Sequence, residues 1–84
     1  MNGRVPCTGH VVDRGDRPVP HAIVMILNGP RPVPEIALMA DDGGRVTFAL
    51  DPGEWTVQAR ADAGVGQTEV AVAPPETRFV IVIP

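Results

Sequence analysis

The chain has 84 residues, 44% of them hydrophobic, with ten acidic side chains against seven basic ones and a formal charge of −3. Chains of this length bury roughly 60 to 65% of their unfolded surface, so a single domain over residues 1–84 with one core is expected. All seven basic residues are arginines, scattered without a cluster, which excludes a nucleic-acid footprint, and the lone Cys7 excludes an internal disulfide.

Ten prolines and nine glycines favour short strands and turns over helices. No window sustains apolar residues at helical spacing, whereas several short windows alternate between turn residues. A first strand is predicted over Thr8 to Asp13, closed by Arg14-Gly15-Asp16-Arg17-Pro18, and a second over His21 to Leu27, closed by Asn28-Gly29-Pro30. The stretch Arg31-Pro32-Val33-Pro34 lacks two backbone donors and reads as a loop or an edge. A third strand follows over Glu35 to Ala40, then the tight turn Asp41-Asp42-Gly43-Gly44 and a fourth strand over Arg45 to Leu50, with Val46, Phe48 and Leu50 on its inner face. The Pro-Gly centre of Asp51-Pro52-Gly53-Glu54 predicts a type II turn and a hairpin into a fifth strand, where Trp55, Val57, Ala59 and Ala61 alternate with Thr56, Gln58 and Arg60. Two last strands, Gln67 to Val72 and Arg78 to Ile83, flank Ala73-Pro74-Pro75-Glu76. Seven short strands at this spacing predict an all-β, antiparallel, seven-stranded Greek-key sandwich of immunoglobulin-like type.

Residues Met1 to His10 hold no apolar run of signal-peptide length, and the longest apolar stretch, Ala22 to Leu27, is too short for a bilayer. The expectation is a cytoplasmic protein with no membrane attachment.

Four segments carry a family resemblance: Gly9-His10-Val11-Val12-Asp13, Arg17-Pro18-Val19-Pro20-His21-Ala22-Ile23-Val24, Ala40-Asp41-Asp42-Gly43-Gly44-Arg45-Val46-Thr47-Phe48 and Pro52-Gly53-Glu54-Trp55-Thr56-Val57. Together they resemble the carboxypeptidase regulatory-like domains over Thr8 to Ala61, with His21 where that family usually has Gly, Ala40 for Thr and Trp55 for Tyr. The resemblance implies a transthyretin-like sandwich that is usually non-catalytic and assembles with other proteins.

Gly9-His10-Val11-Val12-Asp13 and Gly44-Arg45 are also similar to segments of the transthyretin-related 5-hydroxyisourate hydrolases, which would give His10 and Arg45 catalytic roles. Those enzymes need a second His, whose place falls at Val80, and a Tyr-bearing C-terminal tail; the sequence contains no Tyr and ends at Pro84. A lone imidazole lacks the positioned partner that acid–base chemistry requires, so no catalytic residue is assigned.

His10, His21 and Cys7 lack a metal-ligand spacing, and Asp13, Asp16, Asp41 and Asp42 read as turn-formers rather than a calcium loop. No cofactor is expected. The absence of lysine sets isopeptide cross-linking aside, and one Trp without Tyr makes sugar or surface adhesion a weaker alternative.

The positive sign of function lies in strands apolar on both faces. In Phe79-Val80-Ile81-Val82-Ile83 alternation points the two valines away from the core, and the resemblance to transthyretin-like sandwiches, in which the first and last strands are neighbours, implies that Val12, with Thr47 and Ala49 of the adjoining strand, joins them in one outer patch. Val12, Thr47, Ala49, Val80 and Val82 are therefore the expected interface for another protein or a second copy, with edge pairing by the terminal strand as an alternative.

Overall fold

The alternating stretches become seven strands: β1 (Val5–Asp13), β2 (Ile23–Asn28), β3 (Ala37–Met39), β4 (Arg45–Leu50), β5 (Gly53–Ala61), β6 (Gly64–Val72) and β7 (Thr77–Ile83). The computed structural model of the chain describes residues 3–32 and 37–84, and among these it is all β, in two sheets of strand order β4-β1-β7 and β3-β2-β5-β6, with no helix. The predicted third strand began at Glu35, so its first two residues lie outside the described ones; the observed strand occupies only Ala37–Met39.

Period-two alternation sends one face of each sheet inward. Val5, Cys7, Val11, Val46, Ile81 and Ile83 of the three-stranded sheet meet Val24, Trp55, Val57 and Val70 of the four-stranded one, all nearly inaccessible to solvent. Burial of each such Val or Ile side chain contributes about 1.5–3 kcal/mol. Trp55 is 3% exposed, as its place at the head of an alternating strand predicts.

Two expectations about pairing are corrected. The arrangement is not wholly antiparallel, because β1 pairs antiparallel with β4 but parallel with β7, from Cys7↔Thr77 to Asp13↔Ile83. Five strands intervene between β1 and β7, which supplies the long crossover that a parallel neighbour needs. Nor do β4 and β5 form a hairpin: they belong to different sheets, and Pro52-Gly53 carries the chain from one layer to the other. The long hairpin is β5–β6, paired from Gly53↔Val72 to Ala61↔Gly64. Pro6 is tolerated in β1 because β7 reaches only to Cys7, leaving Pro6 paired on the β4 side alone.

The edges of β6 and β7 close on each other. A Cβ placed at Gly66 would lie 2.1 Å from the Val82 carbonyl oxygen, so the two backbones touch at a point only glycine permits. This contact covers the outer edge of β7 at Val82 and works against edge pairing by the terminal strand. At the opposite margin β3 and β4 have no further strand neighbour among the described residues.

Candidate functional site: the outer face of the three-stranded sheet

The outward residues of β4, β1 and β7 stack in register. Ala49 lies opposite Pro6, Thr47 and Arg78 flank Thr8, Arg45 and Val80 flank His10, and Val82 lies beside Val12. None of the five residues expected at an interface belongs to the core: Val80 and Val82 are 53% and 49% exposed, Thr47 and Ala49 are exposed and Val12 is half-buried. Their arrangement is more divided than a single apolar patch. The valines form one end, Ala49 and Pro6 the other, and a belt of Arg45, His10, Thr8, Thr47 and Arg78 separates them.

That belt brings together the two residues whose segments resemble those of the hydrolases, since His10 faces Arg45 directly across β1 and β4. On its other side stands Val80, where the sequence resemblance would put the hydrolases' second imidazole. No hydrogen bond reaches the His10 imidazole among the described residues; the Asp41 carboxylate interacts electrostatically with both Arg45 and His10. Asp41 is committed elsewhere, because its Oδ1 accepts the Gly43 and Arg45 N–H groups at 2.9 Å each.

The same loop occurs twice. Asp13 Oδ1 accepts the N–H groups of Gly15 and Arg17 at 2.8 and 3.0 Å, so Asp13-Arg14-Gly15-Asp16-Arg17 and Asp41-Asp42-Gly43-Gly44-Arg45 share one Asx architecture. The residue before each arginine has positive φ, 64° at Asp16 and 75° at Gly44. In both loops the arginine's backbone N–H is the chief cause holding the aspartate below the usual carboxylate range, with the glycine N–H and the arginine charge adding to it. The turn-forming reading of these aspartates therefore describes Asp13 and Asp41.

His21 also sits at positive φ, 63°. Its Nε2 lies 2.9 Å from Asp42 Oδ1, and its backbone N–H donates to Ala40 at 3.1 Å. The position where the resembling domains carry Gly thus adopts a conformation that suits Gly. No three potential His, Cys, Asp or Glu ligands gather among the described residues: Cys7 points into the core and His10 away from it. Burial pushes the Cys7 thiol up, against a smaller opposing effect of the Leu50 backbone, which leaves it a poor nucleophile.

Sequence reasoning missed two features. Met25, Leu27 and Met39 on the outer side of β2 and β3 are 39%, 42% and 63% exposed. A cleft of about 330 Å³ also opens between the ends of β2, β4 and β5. One of its walls is Trp55, whose Nε1 donates to the Asp51 carbonyl at 2.9 Å, and Asp51 Oδ2 in turn pairs with Arg31 Nε at 3.1 Å. The doubled apolar run of β2 marked the first feature; the second joins residues distant in sequence and had no local signal.

No helix among the described residues is long and apolar enough to cross a membrane. A search of curated proteins finds no match. Residues 1–83 match the family described as protein of unknown function (DUF1416), and the chain belongs to that family.

Proposed function

We propose that this domain is a non-enzymatic binding module, of the carboxypeptidase regulatory-like and transthyretin-like type, that docks a protein chain on the outer face of β4-β1-β7. The carrying observation is the exposure of Val80 and Val82 side by side at 53% and 49%, next to Val12, on a face where a free sheet would carry polar residues. The belt beside them holds Arg45, His10 and Arg78, with Glu76 reaching Arg78 at only 3.7 Å at one rim. A self-contact of this face would bring two basic belts together, so a different chain with acidic groups matches the face better than a second copy does. The module acts in the cytoplasm and without a cofactor.

The hydrolase reading has one observation in its favour, the juxtaposition of His10 and Arg45. Val80 beside them offers no acid or base to relay a proton, and the binding reading is preferred.

A stable contact buries about 1,200 Å² or more in total. The Val80→Lys/Val82→Lys double variant is expected to retain its circular dichroism and unfolding midpoint while losing the partner, or the self-association, recovered with the wild-type chain from its source. Retained binding by the folded double variant overturns the docking face. Turnover of 5-hydroxyisourate that disappears in His10→Ala overturns the non-enzymatic reading.

A further inference from the structure

Four of the six large apolar side chains exposed among the described residues, Met25, Leu27, Met39 and Val65, lie on the outer face of the four-stranded sheet. A sheet face turned to water carries polar residues, and here only the β5 and β6 half follows that rule. On β5 the outward row runs Glu54, Thr56, Gln58, Arg60, and on β6 Gln67 and Glu69 stand between Val65 and Ala71. The β2 and β3 half beside them is apolar. Arg60, Glu54 and Glu69 make no ion pair or side-chain hydrogen bond among the described residues. Glu54 and Arg60 end the β5 row about 20 Å apart at ~3.4 Å per residue, so they cannot neutralise each other within one chain.

The register makes this pattern complementary to itself. The pair Val57↔Thr68 stands at the middle of the β5–β6 hairpin. A two-fold axis at that level, lying in the plane of contact and at right angles to the strands, lays each strand on its own copy reversed. Arg60 of one copy then meets Glu54 of the other, Val65 meets Ala71, and the Gln67 amide can donate to the Glu69 carboxylate. On β2, Met25 lies level with Gln58, and Leu27 sits in the bulge beside Thr56, so these two also exchange places and apolar meets apolar. An axis running along the strands would instead lay β2 on β5 and bury charge against apolar side chains, which is costly. We propose that the outer face of β3-β2-β5-β6 is the contact of a symmetric homodimer of this chain, in which Arg60 of each copy pairs with Glu54 of the other. The four strands have three, six, nine and nine residues, which at ~3.4 Å per residue and ~4.8 Å between strands make a face of about 440 Å². Two such faces with their side-chain relief bury about 1,000 Å², the lower end for a specific contact, so the dimer is reversible rather than obligate. It leaves the β4-β1-β7 face of both copies uncovered and does not rest on the docking reading.

Sedimentation equilibrium of the purified chain, up to about 1 mM, is expected to show monomer and dimer with a dissociation constant of about 100 μM or tighter. Arg60→Glu and Glu54→Arg each set like charges together twice in the dimer, and each alone should weaken it about tenfold or more. The double variant Arg60→Glu/Glu54→Arg reverses both partners and restores the dimer, a result that only the reversed strand-on-strand register gives. Met25→Lys abolishes the dimer, whereas Val80→Lys/Val82→Lys leaves it intact, which separates a failure here from a failure of the docking face. Arg60, Glu54 and Met25 are exposed, and an unchanged circular dichroism spectrum verifies that each variant is folded. The inference is overturned if the chain is monomeric at the highest concentration, if the single charge reversals have no effect, or if the double reversal associates no better than the singles. It is equally overturned if the valine variant dissociates the dimer and Met25→Lys does not.

Discussion

His21 illustrates how one side chain can sit against its backbone preference. A residue with a Cβ at φ 63° costs about 1–2 kcal/mol relative to glycine, and its compensating contact is an ion pair with Asp42 whose two side chains are 62% and 97% exposed, a class worth little in water. His21→Gly is therefore expected to raise stability by about 0.5–1 kcal/mol after the extra chain entropy of glycine is counted. His21→Ala keeps the strained φ and loses the pair, so it should be neutral or destabilising. Urea unfolding monitored by circular dichroism separates the two, and equal effects for both variants would contradict the assignment of strain. The sequence already held the clue, since glycine is what the resembling domains carry at this place, but only the dihedral angle turns that difference into an energy.

The two Asx loops belong to the scale of elements, because each fixes how one strand of the three-stranded sheet ends or begins. Asp13 and Asp41 are both held below the usual carboxylate range. Their stabilisation is fully present above the unfolded carboxyl value of about 3.9 and is lost as the pH falls through their lower folded values. The thermal midpoint should thus include a contribution from these groups that disappears below about pH 4. Asn retains the turn-forming acceptor without titrating, so Asp13→Asn/Asp41→Asn should flatten the acid limb of the curve while leaving the fold intact; an unchanged acid limb would assign that pH dependence to other groups. Elements of this kind were legible from the start, because Asp, Gly and alternating apolar residues act locally. Partnership between strands was not. Pro52-Gly53 announces a reversal of direction but says nothing about which sheet receives the chain, and Gly64 and Gly66 look like breakers although β6 runs through both. The outer valines were legible for the same local reason as the strands, whereas the belt that divides their face depends on register, and the cleft depends on the meeting of Arg31 with Asp51.

At the scale of the whole molecule, stability rests on one layer of core shared by two small sheets. Trp55 is the largest contributor to that layer and the wall against which Gly29, Asp51 and the loop after β2 are arranged. Trp55→Ala should cost about 3 to 5 kcal/mol, comparable to the entire stability of a small domain, at the lower end near 5 kcal/mol. The variant should be largely unfolded in buffer by circular dichroism, and a cooperative transition close to the wild-type midpoint would remove Trp55 from the core.

The contact of Gly66 with Val82 has a consequence for growth. Two sheets give four edges, and this contact shuts one pair of them like a seam, leaving β3, three residues long, and β4 as the open margins among the described residues. A strand recruited at either margin meets a sheet whose opposite edge is already sealed, so each sheet can lengthen from one side alone, and edge-to-edge contact between copies is confined to β3 and β4.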